Sequence, residues 1–158
     1  MKDVFDVRRS ADSDDVLKKL NGSFCNVVKT GDADYALEDT ESGWVIVDAA
    51  ATADRTITLP APSIGLNYKV FWGVASDAQA TIITAKASAD HFKGQVQWID
   101  SDTNGNTEEF DIQANGSGHY ILTVNDDLEP GSWAEFVSDG TYWYVSGLIS
   151  ATVTPAFS

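Results

Sequence analysis

Turn signals interrupt this chain so often that only short elements fit between them, and that spacing constrains the fold more than any other feature. They fall at Asn21-Gly22, Thr30-Gly31-Asp32, Glu41-Ser42-Gly43, Pro60 to Gly65, Asn104-Gly105-Asn106, Asn115 to Gly118, Glu129-Pro130-Gly131 and Asp139-Gly140. Each is built from residues that accept positive φ, preset φ or bond their own backbone. The runs between them are rich in β-branched and aromatic residues, which predicts strands near 23–29, 43–48, 55–59, 67–74, 80–85, 94–99, 108–113, 119–124, 132–138 and 141–147. Short strands at this spacing predict an all-β fold, an antiparallel sandwich or barrel, with a β domain over residues 23–150.

One segment has helical character. Ser13 is placed to cap, Asp14 and Asp15 follow where the helix dipole favours acids, Lys18 and Lys19 come later, and Asn21-Gly22 stops the run. Val16, Leu17 and Leu20 make its apolar stripe. So short a helix must dock on something to persist. With Arg8 and Arg9 ahead of it, residues 1–22 read as an N-terminal arm, and the uncharged stretch 151–158 as an extended C-terminal tail.

The stretch WAEFVSDGTYWYVSG, residues 133–147, has the form of a hairpin closed by Asp139-Gly140. A two-residue loop would set Ser138 opposite Thr141, Val137 opposite Tyr142, Phe136 opposite Trp143, Glu135 opposite Tyr144 and Ala134 opposite Val145. One face is then Ala134, Phe136, Trp143 and Val145, a core face. The other carries Trp133, Val137, Tyr142 and Tyr144 beside one charge, Glu135. Amphipathic rings on the second face suit a contact with another protein surface, since Tyr and Trp bury area while satisfying a polar tip. Trp133, Tyr142 and Tyr144 are therefore the candidate subunit-interface residues.

Composition narrows the function. The chain has 158 residues, enough for one domain that buries about 70% of its unfolded surface without disulfides or metals. Lys+Arg 10 against Asp+Glu 24 gives a net charge of -14, which argues against partners that require phosphate neutralisation, so neither nucleic acid nor an anionic membrane is expected. The first fifteen residues lack an apolar core segment, and no run approaches the about 18 apolar residues of a membrane span, so synthesis in the cytoplasm is expected. The single Cys25, in an apolar run, reads as a small buried hydrophobe.

Catalytic patterns are weak. His91 and His119 are the two histidines, and neither lies in a nucleophile context such as G-x-S-x-G. Phosphate-cradling loops and zinc-type Cys/His spacings are lacking, so a non-enzymatic role is expected. One acidic loop resembles a calcium loop in spacing: Asp100, Asp102, Asn104, Gly105 and Asp111 fall at its first, third, fifth, sixth and twelfth places. Against that, the twelfth place holds Asp where the longer Glu is usual, the eighth holds Thr107, and the flanks have strand character. An ordinary solvated hairpin tip is the favoured reading, so no cofactor is expected, with Ca2+ as the alternative.

Three stretches together, YALEDTESGWVIVDAA (35–50), RTITLPAPSIGLNYKVFWGVA (55–75) and WAEFVSDGTYWYVSG (133–147), resemble small β-rich modules of tailed-bacteriophage virions. In that pattern a strand ending in ITLPAP is followed by GL and a second strand, and the module closes on SDGTYWYV. The resemblance covers about residues 35–147. It implies a structural virion protein, more often trimeric than monomeric. A single domain of this size with an acidic surface implies a head decoration, or cement, protein on the capsid exterior, with the major capsid protein and further copies of itself as partners. Arg8, Arg9, Val16, Leu17 and Leu20 would then anchor the arm to the capsid. The alternative is a tail-fibre, collar or tail-appendage adhesin that binds a host receptor or glycan on exposed Trp and Tyr.

Overall fold

The computed structural model describes residues 26–48, 52–75, 79–101, 109–125 and 128–158. The expected arm and its residues Arg8, Arg9, Val16, Leu17 and Leu20, together with Cys25, lie outside them. The described residues form twelve strands: β1 (Val27–Thr30), β2 (Tyr35–Ala36), β3 (Val45–Asp48), β4 (Arg55–Thr58), β5 (Asn67–Trp72), β6 (Thr81–Thr84), β7 (Phe92–Asp100), β8 (Glu109–Asn115), β9 (Ile121–Val124), β10 (Trp133–Ser138), β11 (Trp143–Ala151) and β12 (Ala156–Phe157). They build two sheets, a seven-stranded one in the order β1-β3-β5-β10-β11-β7-β8 and a five-stranded one in the order β12-β9-β6-β4-β2.

The all-β reading holds, but the sheets are mixed and only partly antiparallel. Five of the pairings are parallel and five antiparallel. Four of the parallel pairings come from the first six strands, which alternate between the two sheets, so that each return to a sheet lays a strand parallel to the one before it; the fifth joins β7 to β11. The first six strands thus wind as a flattened coil. Only from β7 onward does the chain make in-sheet hairpins, β7–β8 and β10–β11.

Successive windings are tied by aspartates just ahead of the strands. Asp34, before β2, accepts the Thr56 N–H at 2.8 Å, and Asp54, before β4, accepts the Ala80 N–H at 2.9 Å. Each carboxylate supplies an acceptor where the backbone ladder ends, so the next winding keeps its register.

Period-2 burial sets the core. Ile46, Tyr68, Val70, Trp72, Val96, Ala134, Phe136, Trp143, Val145 and Ile149 point inward from one sheet; Ile57, Leu59, Ile83, Leu122 and Val124 point inward from the second sheet or its flanks. Two inward positions are charged. Asp48, at the end of β3, and Arg55, at the start of β4, are both buried, and Arg55 Nε and Nη2 donate to the Asp48 carboxylate at 2.9 and 2.6 Å. Thr81 and Thr30 hydroxyls also donate to it, at 2.8 and 3.4 Å.

Residues 151–158 do not all run free. β12 pairs with β9, the Ser158 N–H donates to the Ile121 carbonyl, and the Phe157 ring stacks on His119 with centroids 6.4 Å apart.

Candidate functional site

The hairpin forms, with a register two residues away from the expected one. Ser138 pairs with Trp143, Val137 with Tyr144, Phe136 with Val145, Glu135 with Ser146, Ala134 with Gly147 and Trp133 with Leu148. The loop therefore spans residues 139–142. Its chemistry is local: the Asp139 carboxylate accepts the N–H groups of Thr141 and Tyr142, each at 2.8 Å, and the Tyr144 hydroxyl at 3.1 Å. That Asx turn outcompetes a two-residue primed turn because three donors converge on one side chain. These donors, the Tyr142 and Thr141 N–H groups first, hold the Asp139 carboxyl below its ordinary value. The bond to Asp139 in turn raises the Tyr144 phenol.

A two-residue shift leaves each strand's faces unchanged, because side chains alternate with period 2. Ala134, Phe136, Trp143 and Val145 are buried as expected, while Trp133, Glu135, Val137 and Tyr144 share the outer face of the seven-stranded sheet. Tyr142 sits in the loop instead.

Register places the outer face in rows. One runs Lys29, Val47, Phe71, Trp133, Leu148, Gln97 across β1, β3, β5, β10, β11 and β7. The next runs Val27, Val45, Lys69, Glu135, Ser146, Gln95, Gln113. A third carries Asn67, Val137, Tyr144, Lys93 and Asn115. Apolar and aromatic side chains thus form a band through the middle strands. Val137 and Tyr144 are 42% and 44% exposed, and Ile64, 85% exposed, lies against the hairpin loop at Gly140.

Phe71 and Trp133 on this face, and Tyr142 in the loop beside it, carry cations on their rings. Lys69 Nζ lies 4.2 Å from the Trp133 centroid and 4.9 Å from that of Phe71; Lys93 Nζ lies 3.4 Å from the Tyr142 centroid. An ammonium over a ring face is favourable by about 0.5–1 kcal/mol at exposed sites. At Phe71, Trp133 and Tyr142 it also occupies the ring surface on which a sugar would stack.

The remaining candidates are scattered. Asp100 closes β7 and Asp111 lies on β8 opposite Gln97, so the acidic loop joins two antiparallel strands; Asp102 and Asn104 fall outside the described residues. Among the described residues no three His, Cys, Asp or Glu side chains gather in a metal-holding group, and no pocket is found. His119 Nδ1 receives the Asn115 N–H at 3.4 Å, and the His91 carbonyl accepts the Trp143 N–H. The lysines of the outer face escaped sequence reasoning; the signal was available, since Lys69 and Lys93 occupy outward phases of their strands.

The three stretches that carry the phage resemblance meet around β5. β3 pairs with β5 along one edge and β10 along the other. The loop 59–66 touches the hairpin: the Gly65 N–H donates to the Ser138 carbonyl at 3.0 Å and the Ser138 N–H to the Leu66 carbonyl at 2.8 Å. Tyr68 packs on Trp143 with centroids 5.7 Å apart. No protein-family model matches the chain, and no curated protein is significantly similar to it.

Proposed function

We propose that this chain is a non-enzymatic structural protein of a tailed-phage virion, a decoration (cement) protein that sits on the head exterior, self-associates as a trimer and strengthens capsomer joints. The observation that carries this reading is the meeting of the three resembling stretches in one unit around β5, whose outward side bears Trp133, Val137 and Tyr144. Segments far apart in sequence that pack as one module are what a shared structural design requires, and a band of apolar and aromatic side chains on an outward sheet face is what a subunit joint uses. Cementing works by mass action: a protein that binds the assembled shell better than its separated parts raises the work of opening it.

The test is the copy number of this chain in purified virions, measured by quantitative mass spectrometry against the major capsid protein. A number comparable with that of capsomers is expected. A number matching a tail or collar ring would move the protein to the tail appendage, and absence from particles would overturn the virion reading.

A further inference from the structure

The large hydrophobic side chains exposed among the described residues are Val27, Ile64, Val137, Tyr144 and Val153. Ile64, Val137 and Tyr144 gather at the loop end of the β10–β11 hairpin. Val137 and Tyr144 are cross-strand partners, and the Ile64 side chain lies against Gly140 in the loop, so close that a Cβ on Gly140 would stand 2.8 Å from Ile64 Cγ1. Ile64 is the most exposed of the five, at 85%, yet its backbone is braced. Pro60 and Pro62 preset φ ahead of it, and the Leu66 N–H donates to the Ser63 carbonyl at 3.2 Å. The Gly65 N–H and the Leu66 carbonyl bond Ser138 of the hairpin at 3.0 and 2.8 Å. An apolar group held exposed on a braced loop loses little further freedom when it is covered, which is the property of an interface anchor.

We infer that Ile64, Val137 and Tyr144 are the apolar anchor of a contact between copies of this chain, in which the patch of each copy meets its counterpart about a shared symmetry axis; this rests on the reading of the hairpin as part of a subunit joint. Charge selects the occupant. The chain carries a net charge of -14, so most approaches of one copy to another oppose acid to acid. Beside the patch the charges are matched. Glu135 is the register partner of Lys69, and Asp139 accepts the N–H of Tyr142, whose ring carries Lys93 Nζ at 3.4 Å. The same patch on a second copy is therefore a surface that meets this one without net repulsion. Side chains close to an axis touch their own counterparts, in a trimer as in a dimer. Tyr144 suits the position, because its hydroxyl donates to Asp139 at 3.1 Å and keeps that partner when the ring is covered. Trp133 and Tyr142, beneath Lys69 and Lys93, border the contact.

Sedimentation equilibrium of full-chain variants tests this, with circular dichroism and urea unfolding confirming that each folds. Ile64→Asp and Tyr144→Ser are each expected to raise the half-assembly concentration by about tenfold or more, with the unfolding midpoint of Ile64→Asp unchanged. Val153→Asp, which places the same charge on an exposed valine away from the hairpin, is expected to leave assembly as it was. Ile64→Cys in a Cys25→Ser chain is expected to give covalently linked pairs of copies on oxidation, as counterparts at an axis must. An oligomer that survives both Ile64→Asp and Tyr144→Ser overturns the anchor and leaves the virion reading standing. Loss of assembly in Ile64→Asp without covalent pairs from Ile64→Cys overturns the axial geometry. If Ile64→Asp abolishes binding to purified heads while self-association is unchanged, the patch meets the shell and the inference falls. A wild-type chain that stays monomeric overturns both the inference and the trimer, and the copy number in virions judges the rest of the reading separately.

Discussion

Arg55 and Asp48 occupy buried, inward positions of adjoining elements, in phase with Ile57 and Ile46. Neither charge is tolerable there alone. Together, with Arg55 Nη1 on the Ala53 carbonyl and the Thr81 and Thr30 hydroxyls on Asp48, they satisfy most of each other's hydrogen-bonding capacity. Arg55→Met is expected to lower stability by about 3–5 kcal/mol, since it strands a buried carboxylate. Adding Asp48→Leu and Thr81→Val should recover most of that loss, because a well-packed apolar replacement of a buried pair is often neutral or better. Urea denaturation checks both values; a loss below about 1 kcal/mol for Arg55→Met would mean that water reaches the site. The pairing was only half legible in sequence. The phases of Asp48 and Arg55 mark both as inward, but nothing local says that the two meet.

At the scale of elements, the nine-residue parallel pairing of β11 with β7 depends on one glycine. Gly94 has φ +125, and a Cβ there would stand 2.1 Å from the Val145 carbonyl oxygen, a backbone atom that cannot step aside without breaking the ladder. Gly94→Ala is therefore expected to cost about 3–5 kcal/mol, combining backbone strain with overpacking. Gly118 is the control, with φ +81 but open space where its Cβ would be. Gly118→Ala should show the strain alone, about 1 kcal/mol. Equal losses for the two variants, measured by denaturant unfolding, would refute the close-approach explanation. The hairpin teaches a related lesson: Asp139-Gly140 announces a turn, yet the loop's length was decided by the Asp139 carboxylate gathering three donors.

For the molecule as a whole, two buried or bonded tyrosines link stability to alkaline pH. The Tyr35 hydroxyl donates to Glu41 Oε1 at 2.5 Å, and that bond, then burial, pushes its phenol up to about 12; Tyr68, buried first and then surrounded by Asp39 and Glu41, is likewise pushed up to about 12. Both folded values exceed the ordinary 10.0, so the fold favours the protonated phenols. Their contribution is complete below pH 10.0 and is lost as pH rises through about 12. Stability should fall across that interval, and the Tyr35→Phe, Tyr68→Phe double variant should show a shallower fall. An unchanged slope in unfolding measured from pH 9 to pH 12 would assign the alkaline transition to other groups.

Sequence by itself marked ten of the twelve strands of the described residues, missing the two-residue β2 and β12, and the inward and outward sides of the hairpin strands apart from Tyr142, which sits in the loop, because alternation and turn chemistry are properties of a few neighbouring residues. The two-residue slip of the hairpin did not disturb that reading, since it preserves the side-chain phase. Tertiary structure alone decided that the first six strands alternate between sheets and pair in parallel, and that β12 closes on β9. The physical reason is that a strand finds its partner through backbone N–H and C=O groups that every residue but proline carries alike. A run such as RTIT or TIIT can therefore join either sheet in either direction until the whole chain settles which neighbour is there.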